Sequence, residues 1–344
     1  MNEHHTAAPH SYADYDGVWP VIGSYDEHHM GRVSLPIGGI GTGTIGLGGL
    51  GGLGGRGDLR DFELGNRPAK GFRPDTAFFA LRVARPGSPA IARVLEGPLR
   101  ESDFEGAIGS TAANHGLPRF ATASFDAAYP FGQVHLAGPG LPAVTLRGFN
   151  PLVPGDLEAS SWPLVVISVD VTNKFDEEIE VSVAGVLENF VGANGTESAV
   201  GANANSVRST EELVGISMSA PELDPLAEAY GVVVLSTVRA DDVVTTTRTG
   251  WVDASWGNSL LDFWDDFLDD GRLDERESTA LRPIGSIANA LTLPSGASQV
   301  QLNLQQSLLN DWIGMSGLYL ALPFRRSRPA EQIERAFDDT ANDL

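Results

Sequence analysis

The sequence predicts an all-β fold: a large antiparallel β-sandwich with one or two peripheral helices. Three observations predict it. Short segments of period-two hydrophobicity recur along the chain, and a single long segment carries helical periodicity. Glycine (40) and proline (21) together make up about 18% of the 344 residues, against a usual share of about 12%. Such an excess suits many turns between short strands. The alternating strand–helix rhythm of a parallel sheet is absent.

Residues 1–30, polar and rich in His and Asp, read as a flexible lead-in without the apolar stretch of a signal peptide. Residues 31–325 read as the sandwich, and 326–344 as the start of an interrupted linker helix. Within the sandwich, residues 31–56 are glycine-dominated, with three near copies of Gly-Leu-Gly between Gly46 and Gly55. They suit a strand pair or loop where backbone passes close to another backbone or a ligand. Thr76–Ala84 carries Phe78, Phe79, Leu81 and Val83; Gly132–Leu136 and Ala143–Arg147 are short β-type runs.

The clearest strand is Pro163–Asn173, where Val165, Ile167, Val169 and Val171 alternate with Val166, Ser168, Asp170 and Thr172. Glu178–Gly185 reads as its hairpin partner across Lys174–Glu177. Further strands are expected at 213–219, 231–238, 243–249, 298–304 and 317–322. One helix is expected over Ser255–Asp270, with Leu260, Leu261, Trp264, Phe267 and Leu268 as its core stripe. Gly271 sits where a C-cap belongs, and the intervening aspartates are expected to face water. A second helix starts near Arg328-Pro329, with Ile333 and Phe337 on one face, and the chain then stops.

Charge and composition exclude several functions. The net charge of −22, from 45 acidic and 23 basic residues, repels phosphate backbones, so nucleic acid is a poor partner. With no cysteine there are neither disulfides nor thiolate metal sites. No apolar run is long enough for a membrane span, and the cytoplasm is the default location. The histidines His4, His5, His10, His28 and His29 lack the spacing of a metal site, so neither metal nor cofactor is expected.

Gly41-Thr-Gly-Thr-Ile-Gly46 satisfies the G-x-G-x-x-G dinucleotide fingerprint, which needs a helix directly after it. Six glycines in the nine residues from Leu47 to Gly55 disfavour that helix by about 6 kcal/mol, at about 1 kcal/mol each. Arg56–Lys70 is the densest segment of alternating charge. Its bland reading is a solvated strand face; its functional reading makes Arg60, Asp61, Glu63, Asn66 and Arg67 polar contacts at an interface or pocket rim. A glycosidase pair of carboxylates is a natural hypothesis, with Asp58, Asp61, Glu63, Asp156, Glu158 and Glu188 as members, but spacing singles out no pair.

Several segments in order together resemble glycoside hydrolase family 116, which includes the non-lysosomal glucosylceramidase and bacterial β-glucosidases and β-xylosidases. They are Leu35-Pro-Ile-Gly-Gly-Ile-Gly-Thr-Gly-Thr-Ile-Gly46, Gly55-Arg-Gly-Asp-Leu-Arg-Asp-Phe-Glu-Leu64, Arg93-Val-Leu-Glu-Gly-Pro98, Ala128-Tyr-Pro-Phe-Gly-Gln133, Gly148-Phe-Asn-Pro-Leu-Val-Pro-Gly-Asp156 and Phe263-Trp-Asp-Asp-Phe267 with Asp270-Gly271. Phe62 departs from the family's usual Trp, and the Gly-Leu-Gly repeat lengthens the first glycine turn. The resemblance implies an N-terminal β-sandwich that precedes a catalytic (α/α)6 barrel. It places the nucleophilic Glu and the acid/base Asp in that barrel, beyond the end of this chain, so no residue here inherits a catalytic role. The implied function is a non-catalytic domain of a retaining β-glycosidase acting on a β-linked glycoside through the barrel, whether as a truncated product or as one piece of a split enzyme. The alternative is a stand-alone carbohydrate-binding module, with Trp162, Trp251 or Trp256 stacking on sugar faces.

Overall fold

The computed structural model describes residues 23–30, 33–40, 44–49, 55–63, 74–99, 101, 104–105, 109–110, 116–149, 152–161, 164–193, 202–227, 230–296 and 300–309. In chain order, β1 (Gly23–Tyr25), β2 (Ser34–Ile37), β3 (Thr44–Gly49), β4 (Gly55–Glu63), β5 (Ala77–Ala84) and β6 (Ile91–Val94) precede the short pair β7 (Phe104–Glu105) and β8 (Gly109–Ser110). Next come β9 (Thr122–Ala128), β10 (Phe131–Ala137), β11 (Ala143–Phe149), α1 (Leu157–Ser160), β12 (Leu164–Thr172) and β13 (Ile179–Glu188). The series ends with β14 (Ala204–Ser209), β15 (Leu213–Ser219), β16 (Val232–Val238), β17 (Val244–Arg248), α2 (Asn258–Asp270), β18 (Ile284–Leu293) and β19 (Val300–Leu309).

These strands build an all-β sandwich. A nine-stranded sheet runs β1-β9-β10-β11-β12-β19-β16-β15-β14, and a five-stranded sheet runs β17-β18-β13-β5-β6. A three-stranded sheet, β2-β3-β4, and the pair β7-β8 complete it. Every pairing between these strands is antiparallel. The period of two places the core. Val144 and Leu146 of β11 and Val165, Ile167, Val169 and Val171 of β12 meet Phe79, Leu81 and Val83 of β5 between the large sheets.

The five-stranded sheet is buried on both faces, because β5 is apolar at nearly every position. Its even residues Phe78 and Ala80 join a second cluster with Val186, Trp251, Ala288 and the α2 residues Phe263, Trp264 and Phe267. Trp251 stacks on Phe263 at 4.7 Å, and its indole N–H donates to Ser286 Oγ at 2.8 Å, which satisfies a buried polar atom. The carbonyls at the C-terminal end of α2 would otherwise be orphaned. Buried Arg82 of β5 donates to Leu268 O (2.8 Å) and Asp269 O (2.6 Å), and the left-handed Gly271 returns its N–H to Phe267 O.

Three expectations need correction. Residues 163–173 and 178–185 do not form a hairpin: β12 pairs with β11 and β19, while β13 pairs with β5 and β18 in the other sheet. The link between them is a corner from one sheet to the other, tied by Asn173, whose amide donates to Glu177 O, Leu293 O and Pro294 O. The cause is burial. Every residue of β13 except Glu180 is buried, so it needs cover on two faces, which a strand in the outer position of a hairpin lacks. Second, the stripe of α2 runs through Phe263 in place of Leu261, which is 53% exposed, and the helix starts at Asn258. Third, Asp262 and Asp266 turn to arginines and not to water.

β1 lies inside the span read as a lead-in, and Met30 is in the core. The strand expected at 317–322 and the helix expected from Ser327 lie outside the described residues.

Candidate functional site

The glycine-rich segment folds as a strand pair. β2 and β3 are antiparallel, with Pro36 opposite Gly46 and Ser34 opposite Gly48. Ile37, Ile45 and Leu47 point into the core. Their bed is unusual: Gly132 of β10 and Gly148 of β11 face each other across the ladder. A Cβ on Gly132 would stand 2.5 Å from Leu35 Cδ2 and 3.0 Å from Phe125 Cζ; one on Gly148 would stand 3.2 Å from Leu47 Cδ2 and 3.3 Å from Ile37 Cδ1. Sheets normally pack about 10 Å apart with interdigitated side chains. Here the two glycines remove one set of side chains, so the β2–β3 leucines and isoleucine rest on bare backbone.

The end of this hairpin is lashed to its surroundings. Gly38, in the left-handed region at φ 96°, donates to Phe149 O, and Ile40 donates to Ser160 O at 2.8 Å. Ser160, buried, accepts from the Val153 N–H (2.9 Å) and donates to Asp156 O (2.6 Å). β2, the end of β11 and α1 thus form one connected surface. Phe131 and Phe149 add a ring contact at 6.2 Å. On this surface Ile40, Tyr129, Phe131, Val153 and Leu157 are all exposed, Leu157 to 80%. Contiguous exposed apolar groups mark interaction sites more often than isolated ones do.

β4 is the third strand of this unit, with Arg60 opposite Gly46, Glu63 opposite Thr44 and a register shift between those positions. The backbone of Arg60, Asp61 and Glu63 therefore borders the glycine hairpin, while their side chains, and all of Asn66 and Arg67, lie outside the described residues. β3 carries the end of the dinucleotide-like fingerprint and runs on through Leu47–Gly49, where the fingerprint requires a helix.

Chemistry by paired carboxylates needs two acids about 5–9.5 Å apart across a sugar. Among the described residues, each buried acid faces an arginine. Glu96 meets Arg119, Asp170 meets Arg147, and Glu188 meets Arg282 at 2.9 Å. Burial pushes the Asp170 and Glu188 carboxyls above their ordinary values, with the facing arginines pulling back in part. Fully buried Arg248 reaches Asp262 (3.1 Å) and Asp266 (2.5 Å), and Arg276 reaches the same two acids. Of the other acids named from sequence, Asp156 just before α1 and Glu158 within it are exposed, and the side chains of Asp58, Asp61 and Glu63 lie outside the described residues. Among the described residues no group of three or more His, Asp or Glu could hold a metal, and no helix is long and apolar enough to cross a membrane.

The apolar surface was not anticipated from sequence. The signal was present in part: two of the family-like segments, Ala128–Gln133 and Gly148–Asp156, carry four of its members or neighbours, Tyr129, Phe131, Phe149 and Val153.

Residues 34–304 match the family model described as beta-glucosidase 2, glycosyl-hydrolase family 116 N-term. Among solved structures, the chain is similar to "Putative kojibiose phosphorylase from human microbiome", at 6% identity and a TM-score of 0.41. That alignment covers 90% of this chain and 32% of the other, so this chain spans about a third of that protein's length.

Proposed function

The chain belongs to the N-terminal family of glycosyl-hydrolase family 116, and from that premise we propose that it is the non-catalytic support of a retaining β-glycosidase. In this reading a separate catalytic (α/α)6 barrel supplies the nucleophile and the acid/base. This domain braces the barrel and helps shape its entrance. The β-linked glycoside, whether glucoside, xyloside or glucosylceramide-like, is bound and cleaved in the barrel. The reading includes a cytoplasmic setting.

One observation carries the proposal. The described buried acids each face an arginine, while one end of the sandwich exposes an apolar surface. Each of these pairs sets one acid against one arginine, whereas glycoside cleavage uses two acids facing the same sugar. An exposed apolar surface suits an interdomain contact, which buries about 600–1,500 Å². The chain assayed alone with aryl β-glucosides and β-xylosides is expected to give no turnover. Substantial turnover that one carboxylate substitution, such as Glu188→Gln, abolishes would falsify the proposal.

A further inference from the structure

Two tryptophans five residues apart have opposite environments. Trp251 is buried, stacked on Phe263 and hydrogen-bonded to Ser286. Trp256 is 96% exposed, and its φ of 62° lies in the left-handed region that bulky L residues rarely enter. Gly257 follows at φ 79°, so two successive left-handed residues turn the chain outward just before α2.

The loop that presents this indole is firmly mounted. The Ser259 hydroxyl accepts from the Ala254 N–H (3.1 Å) and donates to Ala254 O (2.9 Å). Asn258 donates to Ser255 O, and Leu260 donates to Gly257 O. Trp251 fixes one end of the loop in the core and α2 fixes the other. An apolar residue placed before a helix cap normally packs on the fourth helical residue, here Leu261, as a hydrophobic staple. Leu261 is 53% exposed and Trp256 almost wholly so, and no such staple forms. The indole strains the backbone and returns no burial to the fold. Outliers of this kind point to function.

We propose that Trp256 is the stacking platform of an accessory carbohydrate site, with Asp253, Ser255 and Asn258 as its hydrogen-bonding rim. All three rim residues are exposed. Asp253 already accepts a hydroxyl hydrogen bond, from Thr279 at 2.9 Å. The ligand class follows from the chemistry. β-Linked glucose and xylose units hold their hydroxyls equatorially, which leaves flat C–H faces for an indole and outward hydroxyls for an acid and amide rim. The net charge of −22 and the exposed acids Asp265, Asp269 and Asp270 on α2 disfavour phosphates, nucleic acids and anionic lipids. α2 covers the face of the five-stranded sheet that points away from the inter-sheet core, so this platform belongs to a different layer from the apolar surface around Phe131. The choice of a β-linked sugar rests on the proposed function.

The test is titration of the purified chain with cellopentaose and xylopentaose, followed by calorimetry and tryptophan fluorescence. Binding in the millimolar range is expected. Trp256→Ala should weaken it at least about tenfold, equivalent to about 1.4 kcal/mol, while Trp256→Tyr keeps most of it. Trp256→Asn, whose side chain tolerates the left-handed region, should lose binding with an unchanged or higher Tm, which a structural tryptophan would not do. Equal affinity in Trp256→Ala and wild type overturns the site, as does the absence of binding in wild type. Shielding of Trp256 only when a barrel domain is added also overturns it, in favour of a protein contact, and leaves the proposed function standing. Hydrolysis by the chain alone would sink that function without touching the sugar site.

Discussion

Helix α2 covers the outer face of the five-stranded sheet through side chains, whereas β2 and β3 cover the glycine end of the nine-stranded sheet through close approach to backbone. On the α2 side the contact is specific. Phe263 and Trp251 stack, Arg82 caps the helix carbonyls, and buried Arg248 ties β17 to Asp262 and Asp266 of α2. On the glycine side Gly132 and Gly148 offer a smooth bed for apolar contact, and the backbone bonds of Gly38 and Ile40 tie the end of the hairpin. The first arrangement closes a surface. The second brings strands close together and leaves Ile40, Tyr129, Phe131, Val153 and Leu157 at its border, open to a further partner. On the proposed function, the difference separates a cover that completes the fold from one that borders an interface.

The largest effect is expected where charges are sealed. Arg248→Met removes a fully buried cation and leaves Asp262 and Asp266 with Arg276 and the Asp274 N–H. Breaking a buried ion pair costs about 3–5 kcal/mol. Because Asp262 keeps partial access to water and Arg276 remains, about 3 kcal/mol is expected, read as a lower midpoint in urea unfolding. A loss well under about 1 kcal/mol would show that the clasp adds little and that aromatic packing alone holds α2. A second, smaller effect tests the glycine bed. Gly132→Val forces Leu35 and the Phe125 ring to give way, at about 1–3 kcal/mol for overpacking. Combining it with Leu35→Ala should recover part of the loss, and a strictly additive double variant would refute direct contact.

This contrast also explains what was legible. β15 falls on the expected residues 213–219, and β5, β10, β11 and β12 lie close to their expected spans: β10 and β11 alternate in burial, while β5, β12 and β15 are short runs dense in apolar residues. α2 was legible from its periodicity and from Gly271. β18 was not: Ile-Gly-Ser-Ile-Ala-Asn-Ala-Leu-Thr-Leu lacks clean alternation, since it is buried on two faces and places small residues, Gly285, Ser286 and Ala288, where other side chains press close. The wrong hairpin has the same root, because hydrophobic pattern does not reveal to which sheet a doubly buried strand belongs. At the candidate site, a strand pair was among the readings of the glycine-dominated residues 31–56, whereas the close approaches described fall on Gly132 and Gly148, outside that segment. The pairing of Gly132 with Gly148, and the surface that borders it, arises from register between distant segments, which no local pattern encodes.

A third effect is the pH dependence of buried acids, which both large sheets carry. Glu188 ends β13 and Asp170 lies within β12; burial raises both carboxyls, and Arg282 and Arg147 offset this only in part. The folded state therefore holds these protons more tightly than the unfolded chain does. Between the ordinary carboxylate range and the raised folded value, the native state binds more protons, so these groups make stability fall as pH rises through that window. Conversely, acidification through it relieves the burial of charge, with no further gain below the ordinary range. Urea midpoints measured from neutral pH downward should show this slope superimposed on those of other groups, and Glu188→Gln or Asp170→Asn should each remove its share. An unchanged slope in both variants would mean that the arginines fully compensate burial.

The smallest effect on stability should accompany the largest effect on assembly. Phe131 opens β10, 44% exposed, with its ring against Phe149. Phe131→Asp is expected to change stability by no more than about 0.5 kcal/mol, as surface substitutions do. On the interface reading it places a charge in the centre of an apolar contact, so association with a separately produced family 116 barrel should weaken by at least about tenfold in calorimetry. Leu261→Asp, on the exposed side of α2, is the matched control and should leave association intact. If instead Leu261→Asp abolished association while Phe131→Asp did not, the roles of the two covers would be reversed: the helix layer would carry the partner, and the glycine hairpin would be a closure of the fold whose apolar border has no occupant.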